Sequence, residues 1–247
     1  MSVDDNVADF ESMYSEAEHT DAVIPYDIGR AQTPARQLAA YGLLWGEVLD
    51  PGTGDGHHAI HYAGHGYSTT GIDVSPTAIE RAKRNAETAG VQVDFQVADA
   101  LELKGFESRF DTVVDNSFYH LFSENESIQV SYAQALHRAT KPGARLYMFE
   151  LSPRNVNGIQ WTGVPADNFE RVLGASGWRL DYQGDTTLEA RFLPQTIAAM
   201  NALLAGRQGD MADGMQRLTQ QLSVLEPLLD DHRVHLPAWS VVATRLD

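Results

Sequence analysis

Three glycines at alternate positions, Gly52, Gly54 and Gly56, constrain this chain more than any other feature. They follow a short apolar run, Val48 and Leu49, and precede a helical pattern that starts near His57. Glycine carries no Cβ, so the backbone can turn sharply and a ligand can approach it closely. Strand, glycine loop and helix in that order form the opening unit of a parallel α/β sheet. The spacing narrows the ligand. A dinucleotide loop reads G-x-G-x-x-G and sets a pyrophosphate on the helix N-terminus. Here the glycines are G-x-G-x-G, and Asp50 precedes the first of them. A carboxylate there repels a pyrophosphate but can hold an ammonium group, directly or through water. The chain has no G-x-x-x-x-G-K-[ST] segment, which argues against a P-loop.

Strand and helix signals alternate from this loop onward. A helix is predicted from about His57 to Ala63 and a strand over Ser68 to Asp73. Ser75 then caps a helix with Pro76 in its first turn and Gly90 just past its end. Strands are predicted over Val93 to Val97, Asp111 to Asp115 and Arg145 to Leu151, with another beginning at Trp178. Helices pass through Ile128, Tyr132, Leu136 and Ala139, ended by Lys141-Pro142-Gly143, and over 166–176, stopped by Gly177. Residues 195–229 read as helical, with an apolar stripe at Met211, Met215, Leu218, Leu222, Leu225 and Leu229. That stripe reads chiefly as packing, with a lid or a dimer surface as alternatives. Ala238 to Thr244 reads as a closing strand. The expectation is an α/β fold, Rossmann-like and doubly wound, on a mostly parallel seven-stranded sheet. It is one domain: an N-terminal cover segment (1–45), a ligand-binding core (46–194), a helical insertion (195–229) and a closing strand (230–247).

Four acids stand at four successive strand ends: Asp50, Asp73, Asp99 and Asp115. Asp73 is placed to accept both ribose hydroxyls of an adenosine, and Asp99 to meet an adenine amino group. Asp115 falls beside the expected reacting centre. The set suits a ligand carrying positive charge, hydroxyls and an amine, which fits S-adenosylmethionine.

At these residues the chain resembles the class I S-adenosylmethionine-dependent methyltransferases. The resemblance runs over about 46–183 plus the closing strand. It rests on Asp50-Pro51-Gly52-Thr53-Gly54-Asp55-Gly56, Asp73, Asp99-Ala100, Asp115-Asn116-Ser117 and Lys141-Pro142-Gly143. It implies that Asp50, Gly52, Thr53, Gly54 and Gly56 bind the cofactor, with Asp73 and Val74. It implies the same for Asp99, Ala100, Asp115, Asn116 and Ser117, with S-adenosylhomocysteine as product. Upstream, Ile24-Pro25-Tyr26-Asp27-Ile28-Gly29-Arg30 resembles a loop of small-molecule thiol, halide and heterocycle methyltransferases that folds over the cofactor, usually with Trp where Tyr26 stands. Tyr26 would shield the sulfonium. Arg30 would orient the loop or the cofactor carboxylate, or simply pair with a surface acid. The stretches DPGTGDGHHAI, FDTVVDNSFYHLF, LHRATKPGARLYMFE and DHRVHLPAWSVVATR resemble the mycobacterial heterocyclic toxin methyltransferase family. That resemblance implies detoxifying methylation of a hydroxyl or ring nitrogen on a quinolone or flavonol.

Methyl transfer needs positioning, exclusion of water and sometimes removal of a proton. His120 follows the fourth strand and titrates near neutrality, so it is the candidate base, against a plain hydrogen bond to the loop. Glu150 and Tyr147 lie on the fifth strand, where parity can bury either. Tyr14, Phe118, Tyr119 and Trp161 are candidates for an aromatic cage around a planar substrate. Adjacent His57 and His58 diverge on a helix, and no metal is expected. A net charge of −16 disfavours nucleic acid as a partner. There is no cysteine and no apolar run of the ~20 residues a bilayer span needs. The expectation is a cytoplasmic protein with a small-molecule substrate and no membrane partner. The rival functions are a thiol, halide or metalloid methyltransferase, a non-catalytic cofactor binder, and a nicotinamide oxidoreductase, which the glycine spacing disfavours.

Overall fold

A computed structural model describes residues 11–12, 14–15, 26–156, 158–160, 162–204 and 210–247. Its main sheet has seven strands: β1 (Glu47–Pro51), β2 (Ser68–Asp73), β3 (Asp94–Val97), β4 (Phe110–Asn116), β5 (Thr140–Leu151), β8 (Trp178–Arg191) and β9 (Arg233–Arg245). Their order is β3-β2-β1-β4-β5-β9-β8. Strands β1 to β5 pair in parallel, while β9 runs antiparallel to both β5 and β8. Two two-residue strands, β6 (Asn155–Val156) and β7 (Ile159–Gln160), form a small hairpin outside it. The helices are α1 (Thr33–Ala40), α2 (His57–Gly64), α3 (Pro76–Ala89), α4 (Glu126–Ala139), α5 (Ala166–Ala175), α6 (Pro194–Leu204) and α7 (Asp210–Leu225). The seven-stranded, mostly parallel, doubly wound sheet matches the expected fold class.

Local chemistry accounts for the helix ends. Ser75 accepts from the Ala78 amide and Pro76 opens α3, while Gly90 takes φ +69° beyond its end. Ala78, Ile79, Ala82 and Ala86 form the buried face of α3. The Lys141-Pro142-Gly143 turn does not lie between α4 and β5 as expected. It forms the first residues of β5, and Lys141 is tied to Asp111 at 2.7 Å. The described residues of the 195–229 region are helical as expected through Leu228, in α6, α7 and a short 3-10 turn, Glu226–Leu228. Leu218 and Leu222 of α7 are fully buried against Leu188, Ala190 and Ile197, so these described parts of the stripe are packing. Met211 and Met215 have side chains outside the described residues.

Strand parity divides the core. Leu49, Val113, Leu146 and Met148 face one cluster under α4 and α5. Val48, Val114, Tyr147 and Phe149 face the other, with Tyr62 of α2. A parallel strand has both faces buried, so each successive residue changes side. β1 and β4 are neighbours at the centre of the sheet, with β2 on one side and β5 on the other. The chain leaves the C-terminal ends of β1 and β4 in opposite directions, and that divergence opens a crevice.

Candidate active site

Asp50 ends β1 on the α2 side of the sheet and is buried. Thr53 Oγ1 donates to its Oδ2 at 2.7 Å, and Asn116 Nδ2 donates to its Oδ1 at 3.3 Å across the crevice. Burial, then the nearby Asp115, push its carboxyl up to about 7 against the pull of its hydrogen bonds. Asn116 also donates to Tyr62 Oη at 3.2 Å, and its own Oδ1 is buried with no partner. One step along the sheet, Asp73 accepts the Gly54 amide at 3.0 Å and the Ser75 amide at 2.9 Å, one on each oxygen. Burial raises its carboxyl as well. Asp99 Oδ1 accepts the Leu101 amide at 2.8 Å, and Ala100 is buried beside it. Val74 is half-buried just past β2. Ser117 holds φ +68° at the end of β4, with its amide on the Phe149 carbonyl at 3.0 Å.

The three loop glycines serve different purposes. Each has positive φ. A Cβ on Gly56 would lie 2.6 Å from Phe95 and 2.8 Å from Ala82, so this glycine lets α2 and α3 close on the sheet. A Cβ on Gly52 would meet Phe118 at 2.4 Å, and one on Gly54 would meet Tyr14 Oη at 2.5 Å. Phe118 and Tyr14 therefore roof the loop. Arg81 lies over the Tyr14 ring at 5.7 Å, and Tyr26 is hydrogen-bonded to Tyr14.

The N-terminal segment is fastened here by contacts the sequence did not show. Ser75 Oγ and Thr77 Oγ1 donate to Glu11 at 2.5 and 2.6 Å. Asp27 accepts the Gly29 amide and faces His57 Nε2 at 3.2 Å. Arg81 pairs with the buried Asp55 at 2.9 Å. Burial and the neighbouring Asp27 push Asp55 up to about 7. Asp27, Asp55 and His57 have ligand atoms within 4.8 Å of one another. With Arg81 in place the group works as a link between the cover loop and the glycine loop.

Several expected residues sit elsewhere. Arg30 forks onto Glu189 of β8 at 2.9 and 3.0 Å, and Arg233 joins the same carboxylate. Its guanidinium anchors the loop to the sheet edge, the loop-orienting and acid-pairing outcome that the sequence left open beside a cofactor contact. Asp115 is fully buried on the α4 side, one residue out of phase with Asn116. It accepts the Phe118 amide at 3.0 Å and Tyr132 Oη at 2.8 Å, so it does not line the crevice. Tyr119 is also fully buried, stacked on Phe169 with its hydroxyl on Asn168 at 2.7 Å, which removes it from a substrate cage. Tyr147 is core on the other face, bonded to the Leu43 carbonyl. Trp161 lies outside the described residues.

His120 lies in a short 3-10 turn, Tyr119–Phe122. Its Nδ1 is 2.9 Å from Glu150 Oε2, which also accepts the His120 amide at 2.9 Å. Glu150 is fully buried, while the His120 side chain is 15% exposed. Burial pushes the imidazole down to about 4. It is neutral at pH 7, and because Glu150 Oε2 already accepts the His120 amide, the ring proton is assigned to Nδ1.

Known proteins resemble this chain in sequence and fold. Residues 48–143 match a family described as a methyltransferase domain. The chain is 33% identical over 102 residues to an uncharacterized methyltransferase of Schizosaccharomyces pombe, covering 40% of this chain and 70% of that one. The chain belongs to the S-adenosylmethionine-dependent methyltransferase family. It is 38% identical over 138 residues to the 2-heptyl-1-hydroxyquinolin-4(1H)-one methyltransferase of Mycobacteroides abscessus. That match covers 55% of this chain and 60% of that enzyme. A solved structure concerned with conversion of a disulfide bond into a thioacetal group during echinomycin biosynthesis superposes with a TM-score of 0.68 at 29% identity, over 90% of this chain and 85% of that one.

The groups at this crevice fit the family's cofactor, S-adenosylmethionine, in their chemistry. Asp50 is a buried carboxylate without a cation among its hydrogen-bond partners, beside the orphaned Asn116 Oδ1. An ammonium group answers both. The half-buried Asp73 carboxylate, held by backbone amides, keeps acceptor capacity for a ribose hydroxyl.

Proposed function

We propose that this chain transfers a methyl group from S-adenosylmethionine to a hydroxyl or ring nitrogen of a small aromatic heterocycle of quinolone or flavonol type. The carrying observation is His120, fixed at 2.9 Å by a buried Glu150 beside Phe118, the residue that roofs Gly52. The likeness to a hydroxyquinolone methyltransferase supports the substrate class. Bound S-adenosylmethionine supplies a methyl group already activated by its sulfonium. Asp50 and Asn116 hold the ammonium end, with Gly52, Thr53 and Gly54 lining that part of the loop. Asp73 and Val74 take the ribose, Asp99 and Ala100 the adenine. Ser117 shapes the turn into Phe118, and Tyr26 and Tyr14 close the site against water. His120 Nε2 accepts the substrate proton.

A second reading has a specific observation behind it. An imidazole pushed down to about 4 is a weak base, which suits thiol, halide or metalloid acceptors that need none. The variant His120→Ala decides. The proposal expects turnover to fall by ~10²-fold or more with S-adenosylhomocysteine affinity retained. An unchanged rate would remove the base and favour the second reading.

A further inference from the structure

Behind His120 lies a set of buried groups that methyl transfer as described does not use. Glu150 Oε2 faces the imidazole, but Glu150 Oε1 is buried with no donor. The neighbouring carboxyl is Asp115, which pairs with Met148 in the register and so lies two residues from Glu150 on the same face of the adjacent strand; each acid bears on the other's titration. Asp115 in turn accepts Tyr132 Oη at 2.8 Å and the Phe118 amide at 3.0 Å. All three side chains are fully buried, from β4, β5 and α4. Strand parity explains the meeting, because Asp115 and Glu150 both project to the α4 side of neighbouring strands.

Two carboxyls in contact in a dry site cannot both ionise, so the pair retains one proton at neutral pH. Both carboxyls are raised by burial, Asp115 well above the usual carboxylate range and Glu150 up to about 7, which places the proton on the Asp115 side. Glu150 accepts two donors from His120, its amide and Nδ1, and these favour the charged form there. Asp115 accepts the Tyr132 hydroxyl and the Phe118 amide, which favour charge at the other end. The other ionisable groups bearing on the chain are Asp50 of β1, whose charge acts on Asp115 and Tyr132 from the opposite face of the sheet, and Tyr119 of the His120 turn.

We propose that Tyr132, Asp115 and Glu150 form a buried hydrogen-bonded chain that positions His120 and sets its basicity, with one proton held between the carboxyls and Glu150 the ionised member. The proposal rests on His120 acting as the base. When the substrate O–H bond breaks, its electron pair stays on oxygen and the proton forms an Nε2–H bond. Nδ1–H remains bonded to Glu150, whose negative charge faces the new imidazolium. The proton then leaves Nε2 to solvent. The carboxyl pair keeps its single proton throughout, so Glu150, Asp115 and Tyr132 are positioning residues.

Two amide substitutions of equal size separate this chain from ordinary packing. Glu150→Gln removes the charge facing the imidazole. Asp115→Asn supplies a permanent N–H donor toward Glu150 and leaves that charge in place. The His120 imidazole is titrated by NMR in the S-adenosylhomocysteine complex, which reads the chain without turnover. The expected result is a His120 pKa lowered by ~1 unit or more in Glu150→Gln, and unchanged or raised in Asp115→Asn. Tyr132→Phe withdraws the donor that favours charge on Asp115, so it moves the His120 pKa upward. Kinetically, Glu150→Gln loses ~10²-fold or more in kcat with KM retained, and Asp115→Asn stays within several-fold of wild type. Equal His120 titration in the two amide variants would overturn the proposal. A silent His120→Ala rate with the predicted NMR shifts would instead overturn the base assignment and leave the chain standing.

Discussion

The Asn116 amide nitrogen lies 3.3 Å from Oδ1 of the buried Asp50, while its own oxygen has no partner. A strand-end acid is thereby held with no cation among its hydrogen-bond partners in the described residues. Burial keeps its carboxyl near 7, and a folded-state value raised above the unfolded one destabilises the protein as pH rises from about 4 through 7. Asp50→Asn removes that titration. At pH 8 the variant without ligand is expected to melt ~3 °C or more higher than wild type, while its affinity for S-adenosylhomocysteine falls ~30-fold. Differential scanning fluorimetry with and without ligand reads both effects. A variant that binds normally would remove Asp50 from the cofactor site.

The same residue sets a pH dependence for binding. An ammonium ligand favours ionised Asp50, so below pH 7 a proton must leave before binding. Affinity for S-adenosylhomocysteine is expected to rise by up to about tenfold per pH unit toward 7 and then level off. Asp55 is also held near 7, but Arg81 pairs with it outside this contact. Calorimetry across pH 5.5 to 8 on wild type and Asp50→Asn assigns the slope, which is expected to vanish in the variant.

Gly54 and Gly56 are expected to fail differently. Gly56→Ala forces a Cβ into Phe95 and Ala82 at a left-handed position, so the loss is one of fold stability, about 2 kcal/mol or more. Gly54→Ala meets only the movable end of Tyr14. Its backbone strain costs about 1 kcal/mol, but displacing Tyr14 weakens cofactor retention. Urea melts and S-adenosylhomocysteine dissociation rates distinguish the two. Equal stability losses with equal binding would contradict the division of roles.

Glu11 ties the N-terminal segment to the start of α3 through Ser75 and Thr77. Glu11→Ala leaves the Ser75 cap on Ala78 intact, so the melting temperature is expected to change little. Ser75→Ala removes both contacts and costs about 1 kcal/mol. Both variants are expected to release S-adenosylhomocysteine several-fold faster in stopped-flow measurements. A wild-type release rate in Glu11→Ala would show that this tie does not retain the ligand.

The order of strands and helices was legible because each boundary carried its own chemistry, as at Ser75, Pro76 and Gly90. The residues of the glycine loop were legible for the same reason, as special backbone at a strand end. Misplaced residues were those whose direction depends on parity or on distant partners. Asp115 and Asn116 are adjacent in sequence, yet a strand sends them to opposite faces, so only one reaches Asp50. Tyr119 looked like part of a cage until Asn168 and Phe169, far along the chain, turned it inward. Glu11 carried no local signal, and Asp27 sat in the loop motif without showing its role, because their partners lie at the start of α3 and on α2. Arg30 was readable as a loop anchor but not its partner Glu189, 159 residues away.

The most direct test is S-adenosylhomocysteine release from S-adenosylmethionine across hydroxyquinolones, flavonols, phenols, thiols and halides. The account predicts turnover with the aromatic hydroxyl or ring-nitrogen compounds, a methylated product by mass spectrometry, and loss of that product in His120→Ala. Turnover confined to thiols or halides, or tight S-adenosylhomocysteine binding with no turnover across the panel, would contradict the proposed substrate class.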